Sequence, residues 1–152
     1  MPTYMVSVPA KSLTDAQKAD ISKAISERHH EATGAPVFFT QVIVAERTNA
    51  ISYLGGEATN DSIWVRGDIR AGRSEEARQK LMLDIMHDVS PIASVSNDPI
   101  WVYICNLAPT DMVEYGHVLP KPGAEHEWFE SLPKSLQDYL VALGTTRETF
   151  KL

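Results

Sequence analysis

Apolar and polar positions divide the first third of the chain into a strand, a helix and a second strand. Residues 3–8 are typical of a short strand, and Thr14 with Gln17 three residues later predicts a capping box that opens a helix. One face of that helix carries Ile21, Ala24, Ile25 and His29. Residues 34–36 (Gly-Ala-Pro) predict its end, and the apolar run 37–45 predicts a buried strand.

The same order of elements then returns. Residues 62–68 predict a strand, Ser74 can cap a second helix, and residues 100–105 after Pro99 predict another strand. The apolar stripe of the second helix consists of Ala77, Leu81, Ile85, Val89 and Ile92. The chain therefore contains two successive β-α-β units.

The two units align at an offset of 60 residues without a gap, so that Thr14 falls on Ser74 and Ile25 on Ile85. Two β-α-β units with right-handed crossovers can share one four-stranded mixed sheet with both helices on one face. We therefore predict an α/β (α+β) fold in one domain, residues 1–152, with pseudo-repeats 2–60 and 62–120. The uncovered sheet face favours an oligomer.

Two further regions connect and extend these units. Leu54-Gly55-Gly56 predicts a turn or small hairpin within residues 47–61. The tail, residues 121–152, contains apolar residues at Trp128 and Phe129 and a predicted helix over 133–144. We expect the tail to pack on the domain or on a neighbouring copy.

Composition restricts the class of protein. Apolar residues make up 43% and charged residues 22% of the chain, which is typical of a globular domain. A net charge of −6 makes nucleic acid and anionic membranes poor partners. The lone Cys105 excludes an internal disulfide, and the absence of ligand spacing among His87, His117 and His126 argues against a metal site. Without a signal peptide or an apolar span, we expect a soluble, cytoplasmic protein.

Pro2 is the first residue that could carry chemistry. Removal of the initiator methionine would leave a secondary amine, and an α-amino group titrates near ~8, so that modest shifts move it across neutrality. Met-Pro starts also occur without any functional meaning. In the gapless alignment the partner of Pro2 is Ser62, which has no free amine.

A possible anion site follows the third predicted strand. Arg70 and Arg73 flank Gly72 just before a helix start, where free N–H groups and guanidinium groups can hold a carboxylate. The alternative is a solvated turn in which these arginines pair with nearby acids. His29 lies on the buried stripe of the first helix, either as a core histidine satisfied by a carbonyl or as a donor to a substrate anion.

Two further candidates lie late in the chain. Alternation places Tyr103 on the sheet face opposite Val102, where a tyrosine is usually a core residue with its hydroxyl at an edge. Glu114 lies between apolar neighbours and could act as a general base, although a loop carboxylate is the commoner case.

Short motifs in a fixed order cover nearly the whole chain. They are P-T-Y-M-V at 2–6, A-I-S-E-R-H-H at 24–30, Q-V at 41–42, L-G-G at 54–56, I-W-V at 63–65, R-A-G-R-S at 70–74, I-W-V-Y at 100–103, M-V-E-Y-G at 112–116 and P-G-A-E-H-E-W-F at 122–129. Together they resemble the tautomerase superfamily, and within it the cis-3-chloroacrylic acid dehalogenase group.

The resemblance implies a set of roles. Pro2 would be the catalytic amine, and Tyr103 and Glu114 would activate water. His29, Arg70 and Arg73 would bind the substrate carboxylate. It also implies a homotrimer that needs neither a metal nor an organic cofactor.

The implied reaction is the addition of water to a small unsaturated carboxylate, a 3-haloacrylate or an acetylenic acid, with Pro2 as general acid. The alternative is a keto–enol tautomerase of the phenylpyruvate or 2-hydroxydienoate type, with Pro2 as neutral general base. A third hypothesis is a non-catalytic or signalling protein on the same scaffold.

Overall fold

A computed structural model describes residues 2–121 and 123–145. In its first half, the Thr14 hydroxyl accepts a hydrogen bond from the Gln17 backbone N–H (3.2 Å) while the Gln17 side chain reaches back to the Thr14 N–H, which confirms the capping box. Gly34 ends the helix in a left-handed conformation at φ 73°. The elements are β1 (Thr3–Pro9), α1 (Asp15–Thr33) and β2 (Gln41–Arg47).

The predicted second strand begins too early in the sequence. Val37–Phe39 form a single 3₁₀ turn after Pro36, and β2 begins only at Gln41. The expectation of a buried strand is also wrong, because β2 is an edge strand with one face open. An apolar run that follows a proline is compatible both with a tight turn and with the start of a strand. The sequence pattern alone therefore does not determine which of the two forms.

The predicted hairpin is confirmed. It consists of β3 (Ser52–Leu54) and β4 (Glu57–Thr59), joined by Gly55 and Gly56. Both glycines have positive φ, 61° and 91°, as a two-residue hairpin turn requires.

The second half repeats the order of the first. The Ser74 hydroxyl accepts from the Ala77 N–H at 3.2 Å and caps the helix. The elements are β5 (Ile63–Arg70), α2 (Glu75–Ala93) and β6 (Ile100–Leu107).

The four long strands form one mixed sheet in the order β2-β1-β5-β6. Strands are parallel within each half and antiparallel between the halves, where Tyr4 pairs with Gly67. Alternate strand residues pack with both helices in one core, which includes Tyr4, Val6, Val8, Ile21, Ile25, Val65, Ile69, Leu81, Ile85 and Val89. The predicted fold class is confirmed.

Strand register corrects the gapless repeat. Val42 and Val102 occupy matching core positions 60 residues apart, but their partners on β1 and β5 are Tyr4 and Val65, which are 61 apart. The loop before α2 is thus one residue shorter than the loop before α1. Consequently the counterpart of Pro2 is Ile63 rather than Ser62.

The other face of the sheet is open in the single chain. Trp101 and Tyr103 on β6 and Ile43 on β2 are 41%, 50% and 40% exposed there. Exposed apolar side chains on one sheet face are typical of a surface that another protein chain covers.

The tail folds back on the domain. A small hairpin of β7 (Val113–Glu114) and β8 (His117–Val118) precedes α3 (Glu125–Ser131) and α4 (Lys134–Thr145). The helix predicted over 133–144 is confirmed, whereas α3 was not predicted; the end of the predicted tail lies outside the described residues. Across the described part of the chain, no helix has the length and apolarity to cross a membrane.

Candidate active site

Pro2 lies between two cavities, at the point where the chain enters the sheet. Its carbonyl accepts a hydrogen bond from the Gln41 N–H at 3.0 Å, which extends the pairing of β1 with β2 by one residue. Pro2 is buried, and it lines both cavities together with Phe39. The start of β1 therefore places Pro2 in contact with two separate cavities.

One cavity, of about 320 Å³, contains the predicted carboxylate-binding residues. His29, Arg70 and Arg73 line it together with Pro2. Residues that are up to 71 positions apart in the sequence thus meet in one place, because the C-terminal part of α1 and the end of β5 both lie beside the start of β1. We call it the arginine cavity.

His29 is buried, and its side chain is satisfied within the core. The Tyr4 hydroxyl lies 2.9 Å from His29 Nδ1, where the sequence suggested a backbone carbonyl as the partner. Burial, reinforced by nearby positive charge that includes Arg73, lowers the pKa of His29 to about 3. Burial also raises the pKa of Tyr4 above its ordinary value. Both groups are therefore neutral near pH 7.

Arg73 lies in the loop between β5 and α2 and reaches back to the first helix. Its Nη2 donates to the Thr33 carbonyl at 3.0 Å, at the negative end of the α1 dipole. Its Nε is buried and lacks a hydrogen-bond partner within residues 2–121 and 123–145. A buried guanidinium N–H without a partner costs free energy.

Arg70 is engaged by the tail. Its Nη1 donates to the Pro120 carbonyl at 2.9 Å, and its Nη2 forms an ion pair with Glu125. The predicted alternative of local acids is therefore wrong for Arg70, whose acid partner comes from α3, while Asp68 pairs with Arg66. The site contains a carboxylate that sequence reasoning did not assign.

The surroundings of Glu125 favour its ionised form. Burial alone would raise the pKa of Glu125, but hydrogen bonds from Arg70 and from backbone N–H groups, including Gly123 at 2.7 Å, outweigh it and hold that pKa below its usual range. Glu125 thus stays ionised near neutral pH and anchors α3 over the arginine cavity.

The second cavity brings Glu114 to the other side of Pro2. Glu114 lies on β7 and shares this cavity with Pro2, Asp68 and Asp111. The structure thus places Glu114, a candidate from the sequence, beside Pro2. We call this the acid cavity.

Tyr103 is not brought to Pro2. Its side chain lies on the open sheet face, edge-on to Trp64 with ring centroids 6.0 Å apart, in a groove of about 690 Å³ beneath the β3–β4 hairpin. The expectation that Tyr103 faces opposite Val102 is confirmed, since Val102 packs on the core. Within one chain, however, neither cavity beside Pro2 includes it.

The arginine cavity includes residues of α3 that had no predicted role. Four side chains of this helix complete the wall: Glu125, His126, Trp128 and Phe129. No local pattern in the sequence shows which distant strand end a short helix covers. No group of three or more His, Cys, Asp or Glu suited to a metal ion occurs in the described part of the chain.

The comparisons define the class of protein first. A family described as "Putative oxalocrotonate tautomerase enzyme" matches residues 1–131. The chain therefore belongs to the tautomerase superfamily. No curated protein matches it in sequence.

Solved structures then narrow the group. N1, a member of the cis-3-chloroacrylic acid dehalogenase family, matches with a TM-score of 0.85 and 30% identity over 92% of this chain and 99% of that one. The chain is thus a member of the cis-3-chloroacrylic acid dehalogenase group. A fused 4-OT described as a symmetric trimer matches with a TM-score of 0.71 and 25% identity, covering 77% of this chain and 94% of its own. FG41 malonate semialdehyde decarboxylase, with a TM-score of 0.62 and 18% identity over 86% and 99%, shares the fold.

Proposed function

We propose that this protein adds water to unsaturated monocarboxylates, without a cofactor, and so acts as a hydratase or dehalogenase. A single observation carries the proposal: Pro2 lines both the arginine cavity, which suits a carboxylate, and the acid cavity, which suits an activated water. With Met1 removed, the Pro2 amine would lie between the residues that bind the carboxylate and the residue that activates water.

The carboxylate is held in the arginine cavity. The Arg73 guanidinium lines the cavity and supplies positive charge, and neutral His29 supplies a hydrogen bond from Nε2 when Tyr4 donates to Nδ1. Arg70, although paired with Glu125, adds positive charge at the same wall. Withdrawal of electron density toward the held carboxylate makes the far carbon of a conjugated double or triple bond electrophilic.

Water then attacks that far carbon. Glu114 takes one proton from the water, the hydroxyl bonds to C3, and protonated Pro2 donates a proton to C2. Propiolate plus water gives the enol, which rearranges to malonate semialdehyde. With 3-chloroacrylate the product is a halohydrin, which loses chloride and a proton to give the same aldehyde. Negative charge develops on the carboxylate side of the substrate as water attacks. The arginine cavity therefore stabilises the transition state more than the ground state.

Tyr103 would complete the site of a neighbouring copy. Its exposure on the open sheet face, beside exposed Trp101, supports assembly through that face. The fused 4-OT that this chain is similar to is described as a trimer. We therefore propose a homotrimer in which Tyr103 of one subunit helps Glu114 of another to activate water.

Product identification by NMR tests the reaction directly. Cis- and trans-3-chloroacrylate, propiolate and phenylpyruvate are incubated in parallel with the processed protein, whose amino terminus is verified by mass spectrometry. We expect malonate semialdehyde from a three-carbon acid, and a loss of at least about a hundredfold in Pro2→Ala, because general acid catalysis contributes about 10²–10⁴. Arg73→Ala should abolish the activity, whereas Arg28→Gln, at a residue that lines neither cavity, should not. The absence of product from every three-carbon acid contradicts the proposal.

The competing function is a keto–enol tautomerase, favoured by the description of the matched family. It requires Pro2 as a neutral base rather than as a cation. NMR titration of Pro2 separates the two: a pKa well above neutrality supports water addition, and one well below it supports tautomerisation.

A further inference from the structure

Part of the wall of the arginine cavity is apolar. The addition of water to a three-carbon acid does not require such a surface. The wall is built from the turn after α1 and from the tail, and its members are Pro36, Phe39, Leu119, Trp128 and Phe129. The polar and charged groups of the cavity, by contrast, come from the end of α1, from the end of β5 and the loop that follows it, and from the start of α3. The cavity thus combines an anion site with a separate hydrophobic surface.

The Trp128 side chain presents an apolar surface to the cavity. Its indole N–H donates to the Val118 carbonyl at 2.9 Å, so its single donor is already used. Trp128 and the adjacent Phe129 are both half-buried at the cavity wall. Glu125, on the same helix, is tied to Arg70, which fixes these rings next to the guanidinium groups.

The size of the cavity points to the same conclusion. About 320 Å³ falls within the range of roughly 300–1,000 Å³ that sites for drug-sized ligands occupy, and such sites are lined mainly by apolar and aromatic side chains with few polar groups. A three-carbon acid would fill only the charged end of this volume. The aromatic end would remain in contact with water.

We propose that the substrate is a monocarboxylate that carries a ring-sized apolar group, and that Trp128 and Phe129 bind this group. The inference rests on the proposed function for turnover and names its substrate class. Aromatic side chains suit such a group because they bury a large area and stack favourably with other rings.

The proposed addition of water also gives a complete reaction with such a substrate. Phenylpropiolate plus water gives 3-oxo-3-phenylpropanoate: the hydroxyl bonds to C3, a proton reaches C2, and the enol rearranges to the ketone. No leaving group or oxidant is needed. The product is then a β-keto acid in place of an aldehyde.

Binding of saturated acids tests the inference without any turnover. Dissociation constants of propanoate and 3-phenylpropanoate, and of acetate and phenylacetate, are measured by NMR titration of the wild-type protein. We expect each phenyl acid to bind at least tenfold more tightly than its short counterpart. Equal affinities within both pairs overturn the proposal.

Variants assign the preference to the wall. Trp128→Ala and Phe129→Ala should each reduce the phenyl preference at least threefold while leaving propanoate affinity unchanged, and Trp128→Leu should keep part of it. Leu83→Ala, at an exposed position of α2, is the matched control. An undiminished preference in both wall variants contradicts the assignment.

The two proposals fail in different ways. If no unsaturated acid is hydrated but the phenyl preference exists and depends on Trp128, the proposed reaction is wrong and the substrate class stands. If propiolate is hydrated and kcat/KM for phenylpropiolate is not higher, with no binding preference, the reaction stands and the substrate class is wrong.

Discussion

The Tyr4 hydroxyl lies 2.9 Å from His29 Nδ1, and the two rings meet edge to face with centroids 5.7 Å apart and an interplanar angle of 73°. This contact joins the first strand to the C-terminal part of the first helix. It fixes the orientation of a buried neutral histidine at the cavity that also contains both arginines. Several consequences of this contact can be measured.

Replacing Tyr4 with phenylalanine should weaken both the fold and the site. The buried Nδ1 of His29 would lose its partner, at a cost of about 1–3 kcal/mol in the free energy of unfolding. In the proposed arrangement, in which Tyr4 donates to Nδ1, the variant no longer selects the Nε2–H form of the ring, and the dissociation constant for propanoate should rise. Urea denaturation and ¹⁵N NMR of the imidazole provide the measurements. Tyr53→Phe, at an exposed hairpin position, is the control and should change neither.

Stability should decrease as the pH falls below about 6.5. The pKa of His29 is lowered to about 3 in the folded state, so between these values the unfolded chain binds one more proton than the folded chain. From pH 7 to pH 5 the histidine should remove about 2 kcal/mol of stability. Urea denaturation at both pH values of wild type and His29→Asn checks this, because the variant should lack that part of the pH dependence. Equal pH dependence in both proteins contradicts the prediction.

Gly67 should tolerate no side chain while Tyr4 is present. A Cβ at this position would collide with the Tyr4 ring, with Cδ1 only 2.9 Å away, and would lie 3.0 Å from Ile104 Cδ1. Overpacking of this kind costs about 1–3 kcal/mol, so Gly67→Ala should be destabilised by that amount. In a double-mutant cycle, Tyr4→Val should relieve part of the cost. Strictly additive unfolding free energies would show that the ring is not the obstacle.

Glu125 should control the affinity of the arginine cavity for anions. Glu125→Gln removes the negative charge beside Arg70, so the dissociation constant for propanoate should fall severalfold. The decisive comparison is with Glu127→Gln, an exposed acid on the same helix, measured by the same titration at low ionic strength. If both variants bind propanoate as the wild type does, the Arg70–Glu125 ion pair does not govern the site.

Local patterns in the sequence predicted most of the elements. Thr14 and Ser74 mark helix starts because the first N–H groups of a helix need acceptors, and Gly55-Gly56 marks a turn because both residues need positive φ. The error at Val37–Phe39 has the same local origin: an apolar run after a proline fits a tight turn as well as a strand. The one-residue shift between the repeats was also hidden, since helix stripes alone do not fix the register of a strand.

The sequence by itself determined two β-α-β units, their helix caps, the stripe that contains His29, and the candidate residues from Pro2 to Glu114, because these depend on spacings within one element. Only the tertiary structure decided which of the candidates meet. It placed Pro2 between the arginine and acid cavities, gave His29 a tyrosine partner and Arg70 a glutamate partner, and left Tyr103 on the open face of the sheet. Such contacts depend on how strand order and the path of the tail bring distant residues together, and no short-range pattern encodes that.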